Sequence, residues 1–119
     1  MAQHYKDLIA WQKEMVATLY DATEAFPKRE TYSLTDQMRR AAVSIPSNIA
    51  EGQGRLNTRE FRQFLGIARG STCELQTQLD IARRLALGNP QLLQEAESLS
   101  HEIGKMIFTI LRKLKTTNS

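Results

Sequence analysis

Cysteine is almost absent from this sequence, since Cys73 is the only one among 119 residues. A lone cysteine cannot form a disulfide within the chain, and it fits a reducing compartment. Long apolar runs are also missing, because no stretch approaches the ~20 residues that a membrane span needs. Residues 1–15 lack the unbroken apolar core of a signal peptide. We therefore expect a cytoplasmic protein with no membrane partner.

Histidine is nearly as scarce, and the groups needed for catalysis are correspondingly few. His4 and His101 lie at opposite ends of the sequence, and no cluster has the Glu-x-x-His spacing with which helical bundles hold metals. The glycines of Glu51–Arg55 resemble a phosphate loop only in composition, because no strand precedes them and the lysine–serine pair is missing. Ser44 and Ser47 have no histidine within a turn, although a tertiary contact with His101 stays open. We predict no catalytic residue, no metal, no cofactor and no small-molecule substrate.

Positive charge is in modest excess. The 16 lysines and arginines against 13 acidic residues give a net charge of +3, with an isoelectric point near 9.2. Dedicated nucleic-acid binders usually have a larger excess of positive charge, so this net charge permits an acidic partner without requiring one. Ten of the cations are arginine, which suits both phosphate forks and ion pairs between proteins. Composition leaves both uses open.

Helical periodicity is what the sequence has in abundance, and strand signals are absent. Pro27 ends a first helix that begins near Tyr5, and Gly52 and Gly54 close a second. Gly88-Asn89-Pro90 separates a third helix from a fourth. Four amphipathic helices joined by short turns predict an all-α, antiparallel up-and-down four-helix bundle, one domain over residues 1–119.

Each predicted helix carries apolar residues at steps of three and four, which marks its buried side. The expected core positions are Leu8, Trp11, Met15, Leu19, Ala22 and Phe26 in the first helix; Met38, Ala42, Ile45 and Ile49 in the second; Phe61, Phe64, Leu65, Ala68, Leu75, Leu79, Ala82 and Ala86 in the third; and Leu92, Ala96, Leu99, Ile103, Met106, Ile110 and Leu114 in the fourth. The expected N-caps are Ser33 or Thr35, then Asn57, then Asn89 before Pro90.

Two helices have more apolar surface than one core contact uses. On the fourth helix the apolar arc is roughly 200° wide, about twice the usual stripe. The extra apolar residues are Ile107, Phe108 and Leu111 on the fourth helix and Ile9, Val16 and Tyr20 on the first. We interpret them as a surface that a partner covers, the alternative being that they edge the core.

Small residues form a strip on the third helix, at steps of four, three and four: Gly66, Gly70, Cys73 and Thr77. Two glycines on one helical face indicate that another backbone approaches closely. The pattern leaves open whether that backbone belongs to the same bundle or to a neighbour. We interpret Cys73 as a small packing residue rather than a nucleophile.

Polar residues form a row on the second helix, beside Pro46, whose ring is expected to bend the helix. The row consists of Arg40, Ser44, Ser47 or Asn48, Glu51 and Arg55. Glu51 and Arg55 are spaced for an ion pair, and Ser44 is placed to return its hydroxyl to the Arg40 carbonyl.

Three long segments resemble one known family. RRAAVSIPSNIAEGQGR (Arg39–Arg55) and EFRQFLGIARGSTCEL (Glu60–Leu75) are similar to the signature of the bacterial four-helix-bundle protein family, also called the 23S rRNA intervening-sequence protein family. YKDLIAWQKEMVATLYDATEAFPKRETYSLTDQMRRA (Tyr5–Ala41) resembles the first half of that family, so the similarity covers nearly the whole chain. The signature residues that carry over, without catalytic roles, are Arg40, Ser44, Pro46, Asn48, Glu51, Gly52, Arg55, Gly70, Ser71 and Glu74.

The resemblance implies a four-helix bundle that assembles as a ring of five subunits. Such proteins are encoded in inserts of ribosomal RNA genes and elsewhere in bacterial genomes. Distant bundle relatives bind reverse transcriptase and nucleic acid. The resemblance therefore implies the chain itself as a partner, and RNA or a nucleic-acid enzyme as a client.

Two functions stay open on these grounds. The preferred hypothesis is a non-catalytic homo-oligomeric scaffold, a pentamer, in which the polar row fixes the register between subunits. The alternative is direct RNA binding by a basic patch around the turn between the second and third helices. Its expected contacts are Arg39, Arg55, Arg59, Arg62 and Arg69. Acidic residues intrude there and no aromatic ladder is evident, so a solvated charged face is the plain alternative.

Overall fold

The computed structural model describes the backbone of residues 2–117 and the side chains of residues 7–31 and 33–114. Its four long helices are α1 (Ala2–Glu24), α2 (Asp36–Gln53), α3 (Thr58–Arg84) and α4 (Pro90–Thr117). Each packs against two neighbours in the cyclic order α1, α2, α3, α4, in a body about 47 by 25 by 20 Å. The predicted four-helix bundle is confirmed.

Two of the expected caps are confirmed. The Asn57 Oδ1 accepts a hydrogen bond from the Glu60 amide (2.8 Å), while the Asn57 Nδ2 donates to the Glu60 carboxylate (2.8 Å). The Asn89 Oδ1 accepts from the amides of Gln91 (2.8 Å) and Leu92 (3.2 Å). Both caps satisfy amides that the first turn of a helix leaves without a carbonyl partner.

The expected cap of the second helix is wrong. A 3₁₀ turn over Lys28–Glu30 and a π-helical turn over Thr31–Thr35 lead directly into α2. The preceding turns therefore supply the carbonyls that the first amides of α2 need. The Ser33 hydroxyl instead donates a hydrogen bond to the Glu30 carboxylate (2.9 Å). The Thr35 side chain accepts no hydrogen bond from an amide of α2.

The core follows the predicted stripes on α1 and α2, where only Trp11 is half-buried. On α4 the predicted Ala96, Ile103 and Ile110 are buried, whereas the predicted Leu92, Leu99, Met106 and Leu114 are half-buried. A second line one residue further along, Leu93, Ser100 and Ile107, is buried as well. α4 packs against both α1 and α3, so its buried arc is wider than one helix contact requires. Ile107 is fully buried and belongs to the core, which corrects its assignment to a partner surface.

The turn between α3 and α4 differs from the prediction at its start. α3 ends at Arg84 rather than at Gly88, and Ala86 is exposed with a positive φ of 56°, so it is not a core residue. A Cβ at Gly88 (φ +67°) would lie 2.7 Å from the Phe26 ring and 2.8 Å from the Ala22 carbonyl oxygen. Glycine is required there because the end of α1 packs against the turn.

α2 continues through Pro46, which is half-buried; the bend expected at this residue stays a prediction. None of the described helices is long and apolar enough to cross a membrane.

Candidate functional site: the α2–α3 clasp and its surroundings

The signature residues of α2 and α3 meet in a hydrogen-bonded cluster, which we call the α2–α3 clasp: Ser44, Asn48, Gly52 and Ser71. The hydroxyls of Ser44 and Ser71 lie 2.9 Å apart. The Asn48 Nδ2 donates to the Ser44 hydroxyl (2.9 Å) and to the Ser44 carbonyl (2.8 Å). The Ser44 hydroxyl thus joins two helices and does not return to the Arg40 carbonyl as expected.

Gly52 lets α2 and α3 approach closely at one end of the clasp. It is buried, and a Cβ built on it would lie 2.9 Å from the Phe61 ring and 2.9 Å from the Phe64 Cβ. Real Cβ atoms are almost never that close to another carbon, so a larger residue requires the helices to separate. Gly52 therefore allows the close packing of α2 against α3.

Arg55 closes the same end of the bundle. Its guanidinium pairs with Glu51 (2.9 Å), confirming the expected ion pair, and with Glu60 at the start of α3 (3.4 Å). It also lies over the Phe64 ring, 4.9 Å from the ring centre. These contacts engage the Arg55 guanidinium within the chain. They also place two carboxylates beside the residue that was predicted to contact phosphate.

The remaining signature residues point away from the clasp. Arg40 is exposed and pairs with Asp36 (3.1 Å). Glu74 is exposed and accepts a hydrogen bond from Gln78 (3.4 Å). Gly70 is exposed, and a Cβ built on it would meet nothing within 4 Å. The family signature therefore has an inner part that joins α2 to α3 and an exposed outer part, in which Arg40 and Glu74 contact only residues of their own helices.

The five arginines expected to contact nucleic acid are not brought together. Arg39 donates to the Thr23 hydroxyl (2.9 Å) and lies 4.5 Å from the centre of the Tyr20 ring on α1. It is 16 positions from Arg55, or about 24 Å along a helix. Nucleic-acid binding by a single patch of these five residues has no geometric support.

The other three arginines lie along α3. Arg62 donates to the Leu111 carbonyl of α4 (2.6 Å), and Arg69 lies 4.9 Å from the centre of the Phe108 ring. Arg59 is exposed at the start of α3, and its side chain has no hydrogen bond, ion pair or ring contact with another described residue. Arg62 and Arg69 therefore contact α4, whereas Arg59 stays close to the turn at Arg55.

The candidate catalytic groups are likewise separated. His101 and Cys73 line a groove between α3 and α4, whereas Ser44 contacts Ser71 and Asn48. The side chain of His4 lies outside the described residues. Among the side chains described, no three His, Cys, Asp or Glu residues are grouped so as to hold a metal ion.

The apolar flanks divide between core and surface. Val16 and Leu111 are half-buried against the core, which corrects the expectation that they face a partner. Ile9, Tyr20 and Phe108 keep exposures of 48%, 38% and 44%. Exposed apolar residues that the sequence analysis did not single out are Val43, Leu56, Ile67, Ile81 and Leu85. Val43, Ile67 and Ile81 lie outside the core stripes of their helices, and Leu56 and Leu85 lie just outside the ends of α3; those positions were the only sequence signal for them.

The strip of small residues on α3 is open. Nothing within the described chain comes within 4 Å of a Cβ built at Gly66 or Gly70. Cys73 and Thr77 are exposed too, so the predicted packing role of Cys73 is not fulfilled inside one chain. No described residue lies against the two glycines, and only the Cys73 end of the strip borders α4.

Comparison with known proteins agrees with the fold. The chain resembles a crystal structure of a protein with unknown function from the S23 ribosomal protein family of Bacteroides thetaiotaomicron, with 18% identity and a TM-score of 0.82. The match covers 92% of this chain and 98% of the other. A comparison with curated proteins gives no match. The model of the 23S rRNA-intervening sequence protein family matches residues 6–109, and the chain therefore belongs to that family.

Proposed function

We propose that this protein is a non-catalytic, cytoplasmic scaffold that assembles from copies of itself. The family resemblance implies five copies, with RNA or a nucleic-acid enzyme as client. The proposal needs a surface that one chain leaves uncovered, and this structure has a candidate between α1 and α2.

The observation that carries the proposal is a set of exposed apolar residues, which we call the α1–α2 seam: Ile9, Tyr20 and Val43. Ile9 and Tyr20 are eleven positions apart, so they lie within about 20° of each other around α1. Tyr20 and Val43 face a shared cleft of about 550 Å³, and Val43 is 41% exposed. Exposed apolar residues on one side of a molecule favour association, because covering them removes apolar area from water.

The open strip on α3 supports the same proposal from another side of the bundle. Glycine in a helix interior costs about 1 kcal/mol against alanine, and neither Gly66 nor Gly70 is required by a contact within the chain. A helix of a second copy packed against these residues would give both glycines a function.

Light scattering coupled to size exclusion tests the assembly. We expect a single species with a mass five times 13.5 kDa, and a lower mass for Val43→Glu, which places a charge in the α1–α2 seam. Leu56→Glu is the matched control, since Leu56 is fully exposed in the turn between α2 and α3. A monodisperse 13.5 kDa wild type would refute the proposal.

The alternative function, RNA binding around the α2–α3 turn, is not favoured by any contact described above. Arg55 faces Glu51 and Glu60, and Arg39 lies against α1. A repulsive carboxylate pair beside the central arginine is a poor site for a phosphate.

A further inference from the structure

The positive charge of this chain is concentrated in two segments. Residues 61–73 and 103–115 together contain six lysines and arginines and no acidic residue. The chain has 16 cations and 13 carboxylates, so the rest carries ten cations against thirteen carboxylates. A small net charge therefore conceals a strongly basic part and a mildly acidic remainder.

The fold brings these two segments side by side. The first lies in the N-terminal half of α3 and the second in the C-terminal half of α4. A Cβ at Gly104 would lie 3.6 Å from the Thr72 hydroxyl, and Arg62 bonds the Leu111 carbonyl. The segments thus run antiparallel along one groove.

The described walls of the groove are basic and polar. Among its lining residues are Arg69, Gln76, His101, Lys105 and Phe108, and none of the lining residues is acidic. Glu102 is a carboxylate beside the groove, and its Oε1 is 3.7 Å from the Lys105 ammonium. One pair at that distance leaves a net positive groove.

The cations repeat at a spacing that suits a linear polyanion. Arg62 and Arg69 on α3 are seven positions apart, as are Lys105 and Arg112 on α4. Seven residues are two turns, so each pair lies on one helical face about 10.5 Å apart along the axis. The axes of packed helices are about 8–10 Å apart, so the cations of α3 and α4 form two neighbouring rows on the surface.

An aromatic ring lies at the centre of these cations. Phe108 is 44% exposed, and its ring centre is 4.9 Å from the Arg69 guanidinium carbon and 5.9 Å from that of Arg112. Exposed aromatic rings flanked by arginine are the stacking platforms of sequence-tolerant single-strand binders.

We propose that the α3–α4 groove binds single-stranded nucleic acid, with phosphates on Arg69 and Lys105 and a base on Phe108. The ligand chemistry is a phosphodiester strand, which either RNA or DNA supplies. This site is separate from the α2–α3 turn, and it needs only one chain. It therefore does not depend on the proposed assembly.

Fluorescence anisotropy tests the site with dye-labelled oligouridylate and oligothymidylate of about 16 nucleotides, a length typical of such sites. Affinity for wild type should fall with salt, and Arg69→Gln combined with Lys105→Gln should weaken binding about tenfold at ~50 mM salt. The slope of log K against log salt should become shallower by about 1.4, since each phosphate contact on a single strand contributes about 0.7. Phe108→Leu should weaken binding at least about fivefold without changing that slope.

The matched control is Lys13→Gln combined with Lys28→Gln, which removes the same charge from exposed positions on α1 and the following turn. We expect this control to keep its affinity within about twofold, because exposed charges farther from the groove than the Debye length, about 14 Å at ~50 mM salt, are largely screened. Equal losses in both double variants, absence of binding at low salt, or preference for a duplex or for anionic lipid vesicles would overturn the proposal. Circular dichroism verifies folding of each variant.

Light scattering on the same variants separates this proposal from the scaffold. Groove variants that keep the wild-type mass but lose binding support the site. A changed mass would make the groove a contact between subunits and overturn the proposal. A monomeric wild type that still binds would refute only the scaffold.

Discussion

Residues of the same type have different surroundings in this bundle, and the glycines show the difference most clearly. Gly52 and Gly66 both lie inside helices, yet one is enclosed by Phe61 and Phe64 and the other meets nothing within 4 Å. Replacing either residue by alanine removes the same backbone freedom. The difference between the two substitutions therefore measures packing alone.

We predict that Gly52→Ala lowers the free energy of unfolding by about 1–3 kcal/mol, although alanine is the better helix former. Gly66→Ala, the matched control, should raise the stability of the isolated chain by about 0.5–1 kcal/mol. Urea denaturation at a fixed protein concentration measures both. Equal effects of the two substitutions would show that α2 and α3 are less closely packed than described.

The Ser44–Ser71 hydrogen bond is a second residue-scale case. Each single alanine substitution should cost about 0.5–1.5 kcal/mol, because it leaves a hydroxyl with one partner fewer. Removing both hydroxyls should cost less than the sum of the single effects, which a double-mutant cycle measures. Strict additivity would contradict a direct bond.

At the scale of elements, side chains tie the end of α3 to α4. The Arg83 guanidinium contacts Asp80 (2.9 Å) on its own helix and Glu97 (3.1 Å) on α4, and Arg84 also reaches Asp80 (2.9 Å). Hydrogen bonds from Arg83 and Arg84 hold the pKa of Asp80 below its ordinary value of 3.8. The folded state thus favours the ionised carboxylate.

The sign of the resulting pH dependence follows from that lowered pKa. The stabilisation of the folded state by the ionised Asp80 carboxylate is fully present above the unfolded pKa of about 3.8. It is lost as the pH falls through the lower pKa of the folded state. The melting temperature of wild type should therefore exceed that of Asp80→Asn at pH 6, and the difference should vanish in strong acid. Asp21→Asn, at an exposed carboxyl on α1 without a described ion pair, is the control. A difference that persists in strong acid would contradict this cause.

At the scale of the whole molecule, three surfaces remain after the core is complete. They are the α1–α2 seam, the open strip on α3 and the basic α3–α4 groove. The first two are apolar or small and suit a protein partner, whereas the third is cationic. A scaffold with separate surfaces for its own copies and for nucleic acid is consistent with this division.

We predict that Gly66→Ala combined with Gly70→Ala separates folding from assembly. Two methyl groups should stabilise the helix of one chain but keep a neighbouring backbone away, so the assembled fraction should fall at a given concentration. Light scattering across a dilution series measures the assembled fraction. Unchanged assembly would remove the strip from the subunit contact.

The sequence by itself determined the four helices, two of the caps and most of the core. Apolar periodicity, the caps at Asn57 and Asn89 and the helix end before Pro27 each depend on residues only a few positions apart. The family followed from its contiguous motifs for the same reason. Neither Ile107 nor Val16 could be assigned to the core in this way, since the width of a buried arc depends on how many neighbours a helix has.

Only the tertiary structure decided which polar groups face each other across helices. Ser44 and Ser71 are 27 positions apart, and Arg69 and Phe108 are 39 apart, so no local pattern links either pair. The same packing joined two basic segments into one groove. Charge density on a surface depends on which helices become neighbours, and that is a property of the folded chain.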